Sequence, residues 1–142
     1  MTSIFAERTL LLHGTLLFLL GLLNGVVVSL FHNKRMGLSA HLEGVQNGLV
    51  LMAFGLMWQH ANPPFPALAY GASLYSMYGL WLGLVLAGVW GTSRITPIAG
   101  KGFTASQWKE WTVTLLILSG STAIILATSL MLYGLWTGLS SL

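Results

Sequence analysis

Four apolar stretches, each about long enough to cross a bilayer, follow one another along this chain with little between them. They run from about Leu10 to Phe31, Leu38 to Trp58, Leu68 to Trp90 and Trp111 to Trp136. A helix of roughly 20 predominantly apolar residues spans the hydrocarbon core of a membrane, so each stretch reads as a transmembrane helix. Composition leaves few alternatives. Of 142 residues, 55% are hydrophobic and 6% are charged, whereas about 25% of an ordinary soluble domain is charged. The expected fold is therefore all-α, an integral membrane four-helix antiparallel bundle forming a single domain. Neighbours are antiparallel because the connections are short.

Those connections carry the charge. His32-Asn33-Lys34-Arg35 turns the first pair, and Pro63, Pro64 and Pro66 end the second helix, since proline cannot continue one. Thr92 to Lys109 is the longest loop, broken by Pro97, Gly100 and Gly102. Lys34, Arg35, Arg94, Lys101 and Lys109 fall on one side of the membrane and Arg8 on the other. This asymmetry puts the first and third loops in the cytoplasm and both termini outside. Trp58, Trp90, Trp108, Trp111 and Trp136 stand at span ends, where interfacial aromatic belts form. The apolar run after Arg8 is too long for a secretory signal and lacks a small-residue cleavage pattern, so it reads as a retained first span. Six scattered basic residues make no nucleic-acid surface. The absence of cysteine removes disulfide and thiolate chemistry.

Glycines recur four apart in every span: Gly21 and Gly25, Gly44 and Gly48, Gly79 and Gly83, Gly134 and Gly138. Small residues at this spacing let helix backbones approach closely in lipid. They predict a tight bundle and an oligomer, because so small a bundle has little interior for a site unless subunits share one.

Ionisable groups within a span are costly and point to function. The second span concentrates them: Glu43, Gln46 and Asn47 share one helix face. Gly37, Gly44, Gly48 and Gly55 line another, with His41 at its edge. On this reading His41 looks over a groove without side chains, where a flat macrocycle could lie with the imidazole on its metal. The competing reading makes His41 and Glu43 hydrated residues near the cytoplasmic interface. Ser39 suits a helix N-cap, which would put Glu43 in the first turn. In the first span His13 reads as an interfacial residue, and His32 and His60 as solvated loop residues. The third span carries Tyr70, Tyr75, Tyr78 and Trp81. Tyr75 and Tyr78, three apart, share a face that either packs helices or lines an aromatic pocket. No phosphate loop, dinucleotide fingerprint, zinc-protease motif or nucleophile elbow occurs. There is no Asp either, which argues against acid–base hydrolysis.

The segment Asn33-Lys34-Arg35-Met36-Gly37-Leu38-Ser39-Ala40-His41-Leu42-Glu43-Gly44, followed by Asn47-Gly48, resembles the hydroxylaminobenzene mutases, small bacterial membrane enzymes with four predicted spans. A more distant likeness is to the styrene oxide isomerases, carried by Glu7-Arg8 with His13-Gly14 and by Ala40-His41 with Asn47-Gly48. In that second family, a haem-dependent membrane trimer, the histidine matching His41 binds haem iron and the asparagine matching Asn47 faces the substrate. The resemblance thus implies His41 as axial ligand, Gly44 and Gly48 beside the cofactor, and Asn47 as an active-site donor. The chain departs from the epoxide isomerases in lacking an intramembrane Asp, and Tyr75 and Tyr78 do not align cleanly with their catalytic Tyr.

What the resemblance implies is an isomerase of the bacterial inner membrane that converts hydroxylaminobenzene to 2-aminophenol, with haem b as Lewis acid and a homotrimer as the assembly. Asn47, Glu43, Tyr75 and Tyr78 would then serve the chemistry, the tyrosine faces steadying cationic character on the ring. The alternatives are a haem-dependent epoxide isomerase on the same scaffold, a haem-carrying electron-transfer subunit, and a transporter or assembly subunit.

Overall fold

Each apolar stretch forms a helix in the computed structural model, which describes residues 3–139. The helices are α1 (Ser3–Val26), α2 (Lys34–Ala61), α3 (Pro66–Trp90) and α4 (Gln107–Leu139), with one 3-10 turn at Val28–Leu30. No strand occurs among the described residues. By length and apolarity, α1, α3 and α4 are able to cross a membrane. Exposed Leu12, Ile125 and Leu132 are typical of their outward faces, as expected where the solvent is lipid.

The polar second helix sits at the centre. It packs against α1, α3 and α4, while α1 and α4 do not meet. This placement follows from its sequence. His41, Glu43 and Asn47 are costly in hydrocarbon, and a central helix can satisfy them with neighbouring helices.

The start of α2 corrects one expectation. Asn33, not Ser39, caps the helix: its Oδ1 accepts from the backbone N–H groups of Arg35 and Met36 at 3.1 and 3.3 Å. Ser39 lies inside the helix and donates to the Arg35 carbonyl at 3.1 Å. Glu43 is therefore deep in α2 rather than in its first turn. The first helix also stops earlier than expected, at Val26. Buried Asn24 donates to the Gly37 carbonyl at 3.0 Å, so the chain must already have turned back by then.

The loop from Gly91 to Ser106 is fastened at both ends. Glu110, in the first turn of α4, accepts from the backbone N–H groups of Ser93 and Arg94 at 2.9–3.2 Å. Asn33 Nδ2 donates to the Ala99 carbonyl at 3.0 Å, and Arg35 donates to the Lys101 carbonyl at 2.6 Å. Lys109 lies over the rings of Trp90 and Trp108, and Arg94 over Trp111. Trp108, Trp111 and Trp136 are exposed, as an interfacial belt requires, whereas Trp58 is buried. That ring is buried edge-on against Tyr70. His60 belongs to the last turn of α2 rather than to a loop.

The glycine pairs are used mostly inside the protomer. A side chain at Gly21 would meet the Gly44–Val45 backbone, one at Gly48 would meet Gly14 and Phe18, and one at Gly83 would meet Ile117. Gly79 alone among the eight faces open space. The spacing thus reports intramolecular packing, and it carries little of the argument for an oligomer.

Candidate active site

His41 projects from α2 toward α1, and its Nδ1 lies 2.8 Å from the Gly21 carbonyl. A carbonyl only accepts, so Nδ1 carries the hydrogen, and in the neutral ring Nε2 keeps its lone pair. Among the described residues nothing bonds Nε2. Metal-binding histidines characteristically donate their second ring nitrogen to a carbonyl or carboxylate in this way. The ring is held against Gly25, where a Cβ would stand 2.6 Å from Nδ1.

The expected glycine groove is not open. The first helix lies in it. A Cβ on Gly44 would approach the Gly21 Cα at 2.7 Å and Trp81 at 2.8 Å, and one on Gly48 would come within 2.6 Å of the Phe18 nitrogen. These glycines are absent of side chains because two helices cross there, and a macrocycle cannot lie on them within the protomer. His41 fits an axial ligand. Gly44 and Gly48 do not fit a cradle. No group of three or more His, Asp or Glu side chains converges among the described residues.

Asn47 faces the other way, toward α3. Its Nδ2 donates to Glu43 Oε1 at 3.2 Å and to the Met77 carbonyl at 3.1 Å. Both partners are acceptors, so the amide orientation is assigned by its network. Asn47 was expected to be a donor, yet both amide hydrogens are engaged, and Oδ1 is the atom left over. One turn on from Met77 in α3, the buried Trp81 Nε1 has no acceptor among the described residues, and a Cβ on Gly44 would lie 2.9 Å from it.

Tyr78 and Tyr75 part company. The Tyr78 hydroxyl meets α1, donating to the His13 carbonyl at 3.2 Å and lying 3.3 Å from His13 Nδ1. The two rings stand edge to face. Tyr75 instead bonds Ser119 of α4 at 2.6 Å and is 49% exposed. Side chains three residues apart on a helix differ by about 60° in direction, and here that offset places one at the interior edge and the other at the outer face. By sequence His13 is a simple interfacial residue. Only its cross-helix contact with Tyr78 ties it to the site, and no local sequence signal marks that contact.

His41 and Asn47 are separated by about 9 Å along α2 and about 120° around it. They address different neighbours, so they do not enclose one cavity within the protomer. Open grooves of 480 and 510 Å³ lie elsewhere, along α4 at Ser129, Leu132, Tyr133 and Trp136 and beside Phe65.

Comparison with known proteins identifies the scaffold. The family model of styrene oxide isomerase matches residues 6–136. The chain belongs to the styrene oxide isomerase family. Hydroxylaminobenzene mutase HabB of Ectopseudomonas oleovorans is 42% identical over 131 residues, covering 90% of this chain and 80% of that protein. Hydroxylaminobenzene mutase HabA of the same organism is 36% identical over 125 residues, covering 86% of this chain and 93% of that protein. No solved structure matches the chain. As a member of the styrene oxide isomerase family the protein is a membrane isomerase, which sets aside the electron-transfer, transporter and assembly readings.

Proposed function

We propose that this isomerase converts hydroxylaminobenzene to 2-aminophenol by moving the substrate's own oxygen from nitrogen to the ortho carbon. The observation that carries the reading is the 42% identity to a hydroxylaminobenzene mutase over 90% of the chain. The free Nε2 of His41 and the anchored Asn47 amide are the polar groups such a site would draw on.

His41 would hold haem b through Nε2, with the Gly21 carbonyl fixing the imidazole. When bound, ferric haem supplies a Lewis acid, and that chemistry weakens an N–O bond. The chain's own residues bind and orient. Asn47, held between Glu43 and α3, positions the polar group of the substrate. Tyr78, its hydroxyl tied to His13, presents an aromatic ring on the neighbouring helix, suited to cationic character. Lipid and packed helices keep bulk water from the reacting atoms, and a small apolar aromatic reaches such a site from the bilayer.

The assembly we propose, after the family resemblance, is a homotrimer, with the diverging His41 and Asn47 serving a site shared between subunits. The inner membrane of a bacterium is its proposed location. The family match also supports a second reading, isomerisation of an aryl epoxide, which turnover of the two substrates side by side distinguishes.

The test is isotopic. Purified protein is given ordinary hydroxylaminobenzene in water enriched in heavy oxygen. The 2-aminophenol formed is expected to contain little heavy oxygen, with little of the para isomer. Substantial incorporation would make water the nucleophile and Glu43 the leading candidate for its base, and the migration would be wrong.

A further inference from the structure

We infer that Glu43 is a specificity-determining positioning residue: it makes Asn47 a hydrogen-bond acceptor toward the substrate, so the site selects aryl hydroxylamines over aryl epoxides. This rests on the proposed mutase reading.

The argument begins with the inventory of one side chain. A primary amide has two N–H donors and one carbonyl acceptor. Asn47 is 7% exposed, and both of its donors are used, one on Glu43 Oε1 and one on the Met77 carbonyl. A backbone carbonyl offers no hydrogen, so the amide cannot turn over without stranding donors or opposing two oxygens. What remains for a ligand is Oδ1. Glu43 and Asn47 are four apart on α2, the spacing at which helical side chains meet, so the carboxylate acts from the same rigid element.

Substrate chemistry then divides in two. An aryl hydroxylamine carries N–H and O–H hydrogens and satisfies Oδ1. An epoxide has only an acceptor oxygen, and placing it against Oδ1 leaves two oxygens facing each other in a dry site. Sites built around one hydrogen bond strongly reject analogues unable to make it. Removing the Glu43 carboxylate would free one Asn47 N–H, the donor an epoxide oxygen needs.

The variants are Glu43→Leu, which removes the acceptor, and Glu43→Gln, whose side-chain carbonyl replaces it. The readout is the ratio of kcat/KM for hydroxylaminobenzene to that for styrene oxide. Glu43→Leu is expected to lower the ratio at least about tenfold, through a gain on the epoxide. Glu43→Gln should keep the wild-type ratio. In parallel, calorimetry on wild-type protein compares aniline with N,N-dimethylaniline, each corrected for partition into empty micelles. Aniline, which donates, should bind at least about tenfold more tightly.

Equal binding of the two anilines overturns the acceptor assignment, whether or not Glu43→Leu folds. A folded Glu43→Leu protein with an unchanged ratio overturns the role of Glu43. Wild-type protein inactive on hydroxylaminobenzene defeats the mutase reading instead, and the aniline comparison still decides whether the site offers an acceptor.

Discussion

The His41 imidazole donates through Nδ1 to the carbonyl of Gly21, 2.8 Å away on the preceding helix. That bond selects the tautomer, aims the ring, and leaves Nε2 for a ligand. His32 and His60 are exposed, and among the described residues neither ring has such a backbone partner. His41→Ala should therefore yield protein without a haem absorbance band and with activity reduced about 100-fold or more. His32→Ala and His60→Ala should keep both. Visible spectra of the detergent-purified proteins check this, and a colourless wild-type protein with full activity would contradict it.

The crossing of α1 and α2 is equally specific. A Cβ at Gly48 would press on backbone atoms of Gly14 and Phe18, which cannot swing aside. Gly48→Ala should cost about 1–3 kcal/mol by overpacking, and Gly48→Leu should disrupt the bundle. Gly71 has open space, so Gly71→Ala should be neutral or stabilising by up to about 1 kcal/mol. Thermal unfolding in detergent separates these cases.

The two tyrosines should separate in activity assays. Tyr78→Phe removes the hydroxyl that joins α3 to His13, and kcat/KM should fall about tenfold. Tyr75→Phe loses a bond to Ser119 at the lipid face and should stay within about twofold of wild type. Equal losses in the two variants would remove Tyr78 from the site.

Topology is checked independently of chemistry. Asn33 and Arg35 tie the first loop to the third, so Lys34, Arg35, Arg94, Lys101 and Lys109 share one end of the bundle. A bias of this kind faces the cytoplasm. A carboxy-terminal reporter active only in the cytoplasm should stay dark, and a bright one would reverse the orientation.

The sequence alone determined the element types, their order and the membrane as solvent. Those depend on runs of apolar residues and on prolines and short turns, which act locally. The Asn33–Gly48 block with its resemblance also determined the family, and with it His41 and Asn47 as residues to watch. Tertiary structure decided everything that depends on which helix faces which. Asn33 rather than Ser39 is the cap, and its amide nitrogen also reaches a carbonyl 66 residues away. The glycine groove turned out to be the seat of α1, since a missing side chain looks alike in sequence whether it admits a cofactor or a helix. Tyr75 and Tyr78 diverged because a helix face is defined only by its neighbours. The partners of Asn47 depend on the fold for the same reason: its two hydrogens go to a carboxylate one turn away and to a carbonyl on another helix, and only the fold brings the second within 3.1 Å.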